Sequence, residues 1–250
     1  MTAHPKVTLV TCKSMPNLFK GEEGLLDELA ARGCDPQIKV WNDPDVDWSE
    51  AGMVVVRSVS DYASDRPAFL EWTKQLRRVQ NSADVLNWNT DKHYLKELAA
   101  LGMPTIPTNW LEPEQNLSKH QIHTRFPAFG EFVVKPAVSS GVRDIGRYTT
   151  VDTRQRQAAM RQVQGLLGEG RSVMIQRYVE EIDLHGEISL VFFNGLVSHA
   201  VEKRSALHPS SVSDPAVHEA VVTAEAADSV AWKWGEEIRR VLHGYVRSRL

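Results

Sequence analysis

Strand-like runs alternate with helical segments over residues 6–90. A helical segment that ends at Gly33 follows the first run, and another begins near Pro67 and reaches about Val79. The segment from Ala83 to Trp88 is predicted to end a further strand. Because parallel strands need crossover connections, this alternation predicts a doubly wound α/β lobe. Three strand-like runs are short: Lys6–Cys12, which is rich in β-branched residues, Pro36–Asn42, and Gly52–Val59, which is apolar enough for a central strand.

The pattern changes after Gly102, where a helix of good helix formers ends and Pro104 and Pro107 follow. We place a domain boundary there. Beyond it the sequence predicts a strand from Phe129 to Lys135, a strand near Arg147, a helix over 153–167 and a strand from Ser172. The dipeptide Asn194-Gly195 then joins two further strands as a hairpin, and residues 215–250 are predicted to be helical for most of their length.

Charge and cysteine content exclude several classes of partner. The net charge of −3 and the pI near 6.3 lack the basic excess that a nucleic-acid binder needs. The sequence shows no signal segment and no apolar run near the ~20 residues that span a bilayer. The two cysteines, Cys12 and Cys34, lie far apart without metal-ligand spacing. We therefore expect a soluble, cytoplasmic protein with no nucleic-acid or membrane partner.

Three lysines stand at the ends of predicted elements. Lys135 ends a strand, Lys92 opens a helix and Lys203 ends the hairpin. Ammonium groups act as separate point charges, so such a set suits the oxygens of a phosphate chain. Between them, the small residues of the loop Ser139-Ser140-Gly141 can approach an anion closely. This combination predicts a phosphate-binding site.

The segment "MIQRYVEEID" supplies a complementary feature. An apolar strand leads through Tyr178 and Val179 to a group of carboxylates. Backbone groups at the strand end suit a flat base, and a carboxylate suits a ribose hydroxyl. With the lysines, this segment indicates an adenine nucleotide as the ligand.

Four segments in order resemble the ATP-grasp ligases, the superfamily of D-alanine:D-alanine ligase and glutathione synthetase. They are "NTDKHYLKELAALGMPTIPT", "FVVKPAVSSGVRDIG", "VMIQRYVEEIDLHGEISLVFFNG" and "SHAVEKR". The opening "VTLVTC" and the later "VVRSVSDY" are similar to small ATP-grasp proteins such as the cyclo-ligase of D-cycloserine biosynthesis. The resemblance implies an N-terminal pre-ATP-grasp domain over 1–104, a lid subdomain over 105–180 and a C-terminal subdomain over 181–250.

The resemblance also implies roles for individual residues. Lys92 and Lys135 would contact the α and β phosphates, and the loop Ser139, Ser140, Gly141 would cover the β and γ phosphates. Gln176 would meet the adenine amino group, with Arg177, Tyr178 and Val179 around the base. Asp183 would bind the ribose, with Glu180 and Glu181 as alternatives. Lys203 would reach the nucleotide, and Arg204 beside it would stabilise an acyl phosphate.

The resemblance further implies a chemistry of positioning and charge stabilisation. In this family a substrate carboxylate takes the γ-phosphoryl group of ATP, and an amine or another nucleophile attacks the resulting acyl phosphate. The resemblance implies ATP and Mg²⁺ as cofactors, a small amino-acid-like substrate and a homodimer. For the substrate we select Arg57, Ser58, Asp61 and Tyr62, just beyond a strand's carboxyl end. The alternative is that Arg57 and Asp61 pair with each other.

The metal ligands are the point of departure from the family. ATP-grasp enzymes place their Mg²⁺ carboxylates after the helix that follows the lysine hairpin, and here no Asp or Glu follows Glu237. We expect a truncated or degenerate relative, unless Glu187 or the pair Glu236-Glu237 substitutes. Two functions stay open: an ATP-dependent carboxylate–amine or cyclising ligase, and a catalytically inactive nucleotide-binding relative.

Overall fold

A computed structural model describes residues 4–203, 207, 219–222 and 229–249. The chain divides into two compact units. The first unit is Met1–Tyr94 with Val138–Gly141, and the second is Leu95–Ala137 with Val142–Leu250. No described helix is both long and apolar enough to cross a membrane.

The first unit contains a parallel sheet with helical connections. Its elements are β1 (Lys6–Thr11), α1 (Gly24–Ala31), β2 (Asp35–Val40), β3 (Met53–Ser58), α2 (Arg66–Lys74), β4 (Val79–Gln80) and α3 (Ala83–Asn89), with 3-10 turns at Trp48–Glu50 and Asp61–Ser64. The strands lie in the order β2-β1-β3-β4, and every adjacent pair is parallel. The chain leaves β1 on one side and returns on the other, so the carboxyl ends of β1 and β3 form a topological switch point.

One predicted element of this unit is wrong. The segment Ala83 to Trp88 belongs to helix α3 and does not end a strand. The reason is local, because the hydroxyl of Ser82 accepts a hydrogen bond from the backbone N–H of Val85 at 3.3 Å and caps the helix. The strand of this region is the two-residue β4, which pairs with β3.

Aromatic side chains fill the core beside the switch point. Phe69 is 1% exposed, and its ring lies 5.5 Å from that of Trp41 and 5.4 Å from that of Trp72 between centroids. Trp48 and Tyr62 extend the cluster on either side. Burying each ring stabilises the fold by roughly 1.5–3 kcal/mol. The residues just beyond β3 are therefore supported by a tightly packed core.

The second unit contains two antiparallel sheets. Its elements are α4 (Tyr94–Ala100), β5 (Thr108–Leu111), a 3-10 turn (Pro113–Gln115), α5 (Lys119–His123), β6 (Glu131–Pro136), β7 (Gly146–Thr149), α6 (Thr153–Gly168), β8 (Val173–Arg177), α7 (Glu181–His185), β9 (Glu187–Phe193), β10 (Leu196–Lys203), β11 (Glu219–Val222) and α8 (Ser229–Arg249). One sheet has the order β5-β8-β6-β7 and the other the order β11-β10-β9.

The two faces of the sheet β5-β8-β6-β7 differ in chemistry. Alternate residues of β6 and β8, among them Phe132, Val134 and Ile175, belong to an apolar core that also includes Val163 of α6. Since strand side chains alternate between faces, Lys135 and its β8 partner Met174 lie on the other face. The cross-strand register places Gln176, Arg147 and Thr108 on the same side as Lys135. We call these four residues the polar face.

The predicted hairpin is confirmed. Asn194 and Gly195 have φ values of 51° and 78°, as a two-residue turn between right-twisted strands requires. The prediction for the last segment is partly wrong, because Glu219–Val222 forms strand β11 beside β10. The helical part of that prediction is confirmed by α8, which extends from Ser229 to Arg249.

Candidate functional site

Lys135 is the most unusual charged residue of the polar face. It is largely surrounded by protein near the end of β6, and within the described residues its ammonium makes no hydrogen bond and no ion pair. Burial lowers the pKa of Lys135, and the negative charge of Glu187 opposes this effect only in part. The polar face therefore contains a cation whose counter-charge is incomplete.

Glu187 connects two of the predicted lysines. It is the first residue of β9 and pairs in register with Lys203, the last residue of β10. Opposed side chains of an antiparallel pair have Cβ atoms about 4.5–5.5 Å apart. Lys135 and Lys203 thus lie near the same carboxylate. The predicted catalytic residue Arg204 lies outside the described residues.

Gln176 is 5% exposed and lies on the polar face with Lys135. Its side-chain nitrogen donates a hydrogen bond to the hydroxyl of Thr108 at 2.7 Å. This bond orients the amide and leaves its oxygen as the acceptor, which is the atom that an adenine amino group needs.

The residues after Gln176 do not all face the same way. Alternation along β8 directs the side chain of Arg177 to the opposite face, where its guanidinium lies 4.4 Å from the ring centroid of Phe129. The side chain of Arg177 therefore does not join Lys135 and Gln176. Tyr178 is held through its backbone N–H, which donates to the carbonyl of Glu131 at 2.9 Å, and Val179 caps the turn into α7 through its carbonyl.

Asp183, the predicted ribose ligand, belongs to a network that the sequence analysis missed. Its Oδ2 lies 2.8 Å from Nη1 of Arg147, and its Oδ1 accepts a hydrogen bond from the hydroxyl of Tyr178 at 2.5 Å. Arg147 also binds Glu131. Although burial works against the charge, hydrogen bonds to Glu131 and Asp183 raise the pKa of Arg147. Of the alternative ligands, Glu180 and Glu181 are both exposed.

In the first unit, Lys92 contacts the predicted phosphate loop. Its ammonium donates hydrogen bonds to the hydroxyl of Ser139 at 2.8 Å and to the carbonyl of Ser139 at 3.2 Å. The hydroxyl of Tyr62, predicted to bind substrate, donates to the same carbonyl at 3.1 Å. Ser139 is buried, Ser140 is partly exposed and Gly141 has a φ of 62°, which suits glycine. Two hydrogen bonds thus join the lysine to the loop.

The predicted substrate residues lie at the end of β3, and they have an unforeseen partner. Glu22 binds the guanidinium of Arg57 with one carboxylate oxygen and the hydroxyl of Ser58 with the other. Asp61 accepts a hydrogen bond from the indole N–H of Trp41 at 2.7 Å. The alternative in which Arg57 pairs with Asp61 is therefore wrong. Glu22 comes from the segment before α1, and only the folded chain brings it to β3.

The described residues contain no group of three or more His, Cys, Asp or Glu side chains that fits a metal ion. The two substitutes considered on α8 are engaged elsewhere, because Glu236 pairs with Arg239 and Glu237 with Arg240. Glu187 stands opposite Lys203 in the strand register and acts electrostatically on Lys135. We therefore assign no metal ligand among the described residues.

Comparisons with known proteins identify the family of the chain. The N-terminal domain of D-cycloserine synthetase DcsG matches residues 7–87. The cycloserine biosynthesis protein DcsG of Streptomyces lavendulae is 35% identical over 190 residues, which are 74% of this chain and 62% of that protein. The crystal structure of D-cycloserine synthetase DcsG has a TM-score of 0.76 and 30% identity, covering 95% of this chain and 81% of that one.

More distant structures share the fold. D-alanyl-alanine synthetase A of Vibrio cholerae has a TM-score of 0.64 at 14% identity, covering 97% of this chain and 82% of that one. The ATP-grasp ligase PsnB, in complex with a precursor variant, Mg and ADP, has a TM-score of 0.53 at 15% identity, covering 96% and 82%.

The chain belongs to the ATP-grasp ligase family, in the group of D-cycloserine synthetase DcsG. The predicted α/β architecture with an ATP-grasp fold is thereby confirmed. The aligned part of the chain spans less than two thirds of the curated relative from Streptomyces lavendulae.

Proposed function

We propose that the protein is an ATP-dependent ligase that joins a carboxylate to an amine through an acyl phosphate. The observation behind this proposal is Lys135, a largely buried cation that makes no ion pair within the described residues. Keeping an ammonium there costs free energy, which a bound anion offsets. Membership in the DcsG group supports the choice of a nucleotide phosphate as that anion.

We assign the nucleotide contacts to two residues of the polar face and to two residues outside it. Gln176 accepts a hydrogen bond from the adenine amino group, and Lys135 neutralises phosphate oxygens. From α7, Asp183 binds the ribose, and from the end of β10, Lys203 contacts the phosphates. Phosphate contacts of Lys92 and of the loop Ser139–Gly141 remain predictions. No side chain is needed as a covalent nucleophile, because positioning and charge neutralisation provide the catalysis.

The proposed reaction has two steps. A substrate carboxylate oxygen forms a bond to the γ-phosphorus while the bond to the β-phosphate oxygen breaks, which releases ADP. An amine of the substrate then attacks the acyl carbon, and phosphate leaves with the carboxylate oxygen. Because the relatives include proteins named D-cycloserine synthetase, we propose a small amino-acid-like substrate whose amine and carboxylate close a ring.

The substrate site is proposed at the carboxyl end of β3. Arg57 has the planar donor geometry that suits a carboxylate, and Glu22 beside it offers a counter-charge for a substrate ammonium. Mg²⁺ stays a prediction from family membership, and no step above is assigned to it. The cytoplasmic location and the homodimer likewise stay predictions.

The test combines nucleotide binding with turnover. Calorimetry of the 250-residue protein with ATP should show saturable binding, and a coupled assay should detect ADP when single amino acids or pairs are supplied with Mg²⁺. ADP release with one compound that contains both groups would support ring closure, whereas a need for two compounds would indicate ligation between molecules. Binding without ADP release from any compound would favour the inactive nucleotide-binding relative. Folded protein that binds no ATP would contradict both functions.

A further inference from the structure

Arg147 lies on the polar face, and the proposed function gives it no role. Its guanidinium contacts three side chains at once. Nη1 lies 2.8 Å from Oδ2 of Asp183, Nε donates to Oε2 of Glu131 at 3.1 Å, and the guanidinium carbon lies 3.7 Å from the ring centroid of Tyr178. These contacts join strand β7, strand β6 and the segment that leads from β8 into α7.

The geometry of Asp183 depends on this arginine. One carboxylate oxygen is held by Arg147 and the other accepts the hydroxyl of Tyr178 at 2.5 Å. Arg147 also lies over the ring of Tyr178. It therefore binds the carboxylate directly and also holds the tyrosine whose hydroxyl binds the other oxygen. The side chains of Arg147 and Asp183 are only 15% and 18% exposed. Such a shielded pair restrains both side chains more than a typical surface ion pair does.

We propose that Arg147 is a positioning residue that holds Asp183 for the ribose hydroxyls, and that it thereby makes the site selective for ribonucleotides over deoxyribonucleotides. This inference rests on the proposed function, because it assumes that the nucleotide is ATP. Each carboxylate oxygen has two lone pairs and can accept more than one hydrogen bond. A ribose hydroxyl can therefore donate to an oxygen whose direction is already set.

The physical reason is preorganisation. A carboxylate side chain that is free to rotate loses conformational entropy when it binds a hydroxyl, whereas one held at both oxygens loses little. Most of the free energy of the hydrogen bond to the charged carboxylate then contributes to the affinity for a nucleotide that has the hydroxyl. A nucleotide without it gains nothing from Arg147.

The experiment compares ATP with 2′-deoxy-ATP and 3′-deoxy-ATP by calorimetry. The proteins are wild type, Arg147→Met, Asp183→Asn and the double variant, with Arg147→Lys as the conservative change. Arg171→Met is the matched control, because Arg171 forms another Arg–Asp pair of the same unit, to Asp144 at 2.8 Å. The backbone of Asp144 is bound by Gln162 of α6, the helix that packs on the apolar side of the sheet. Thermal unfolding of each protein shows that it is folded.

We expect wild type to bind ATP about tenfold more tightly than one of the deoxy analogues. Arg147→Met should lower ATP affinity to about the level of that analogue and leave the analogue's own affinity within about threefold. Asp183→Asn should do the same, and the double variant should be no weaker than either single variant. Arg147→Lys should restore part of the preference, and Arg171→Met should keep all of it.

Two results would overturn the inference while leaving the ATP site intact. One is an equal fall in affinity for ATP and both analogues in Arg147→Met, which would indicate general structural damage. The other is a wild-type protein that binds all three nucleotides equally. Failure of wild type to bind any nucleotide would instead contradict the proposed function, and with it this inference.

Discussion

The strand ends of the first unit and the polar face of the second handle charge in opposite ways. At the end of β3, Arg57 is paired with Glu22, and near α4 the ammonium of Lys92 donates to Ser139. On the polar face Lys135 has only the partial compensation of Glu187, and its pKa is lowered by burial. Arg57 and Lys92 have partners within the first unit, whereas Lys135 on the polar face lacks a full counter-charge, which a ligand can supply.

This difference distinguishes residues that raise the stability of the fold from residues that lower it but bind a ligand. Removing a paired group leaves its partner unsatisfied and lowers stability. Removing a largely buried charge that is only partly compensated ends a desolvation cost and raises stability. The sign of the stability change therefore distinguishes the two kinds of residue, even where both contact a nucleotide.

The largest expected effect is that of Lys135→Met on ATP binding. We expect affinity to fall about a hundredfold, because a buried charge–phosphate contact is lost. The free energy of unfolding without ligand should rise by about 1 kcal/mol, which corresponds to about 3 °C in the melting temperature of a chain of this size. Calorimetry and thermal unfolding measure the two quantities. Lys119→Met, at an exposed position of α5, is the control and should change neither.

The same substitution at Lys92 should change stability in the opposite direction. Lys92→Met removes two hydrogen bonds to the buried Ser139; the Ser139 hydroxyl loses this donor, whereas the carbonyl keeps the hydroxyl of Tyr62. We expect the free energy of unfolding to fall by about 1–2 kcal/mol, measured by urea denaturation of the ligand-free protein. A gain in stability at Lys92, or a loss at Lys135, would remove the contrast between the regions.

Much of the fold was predictable because its signals are local. The run Lys6–Cys12, the turn Asn194-Gly195 and the long helix over 153–167 follow from residue type and spacing. The failures have local causes as well. Ser82 converts an apolar run into a helix by capping it, and Glu219–Val222 becomes a strand because β10 offers a pairing edge. A partner strand distant in sequence overrides local preference.

The site was predictable in part for the same reason. Strand alternation does place Lys135 and Gln176 on one face, but it also directs Arg177 to the other. Glu22 and Arg147 were missed because their partners lie 35 and 36 residues away in the chain. No spacing rule signals such a pair, since the tertiary fold creates it.

Glu22→Gln tests whether the polar groups beside β3 stabilise the first unit. The amide keeps the size of the side chain but loses the charge that binds Arg57 and Ser58. We expect the free energy of unfolding to fall by about 1 kcal/mol. The matched control is Glu28→Gln, because Glu28 pairs with Arg32 in a fully solvated setting, with side chains 67% and 68% exposed. That change should cost at most a few tenths of a kcal/mol. Equal losses at both positions would mean that the network beside β3 stabilises the fold no more than an exposed ion pair does.

The smallest expected effect is a pH dependence of stability that belongs to Lys135 alone. Its pKa in the folded protein lies below the ordinary value of 10.5, so between these two values the unfolded chain binds more protons than the folded one. Stability should therefore rise as the pH increases through that interval, since the folded lysine becomes neutral and its desolvation cost disappears. The stability advantage of Lys135→Met over wild type should be largest below the interval and should shrink towards zero at its upper end.

Urea denaturation of both proteins at a series of alkaline pH values measures this difference, in which titrations common to both proteins cancel. A constant difference across the series would mean that Lys135 keeps an ordinary pKa, and that a counter-charge already compensates it before the nucleotide binds.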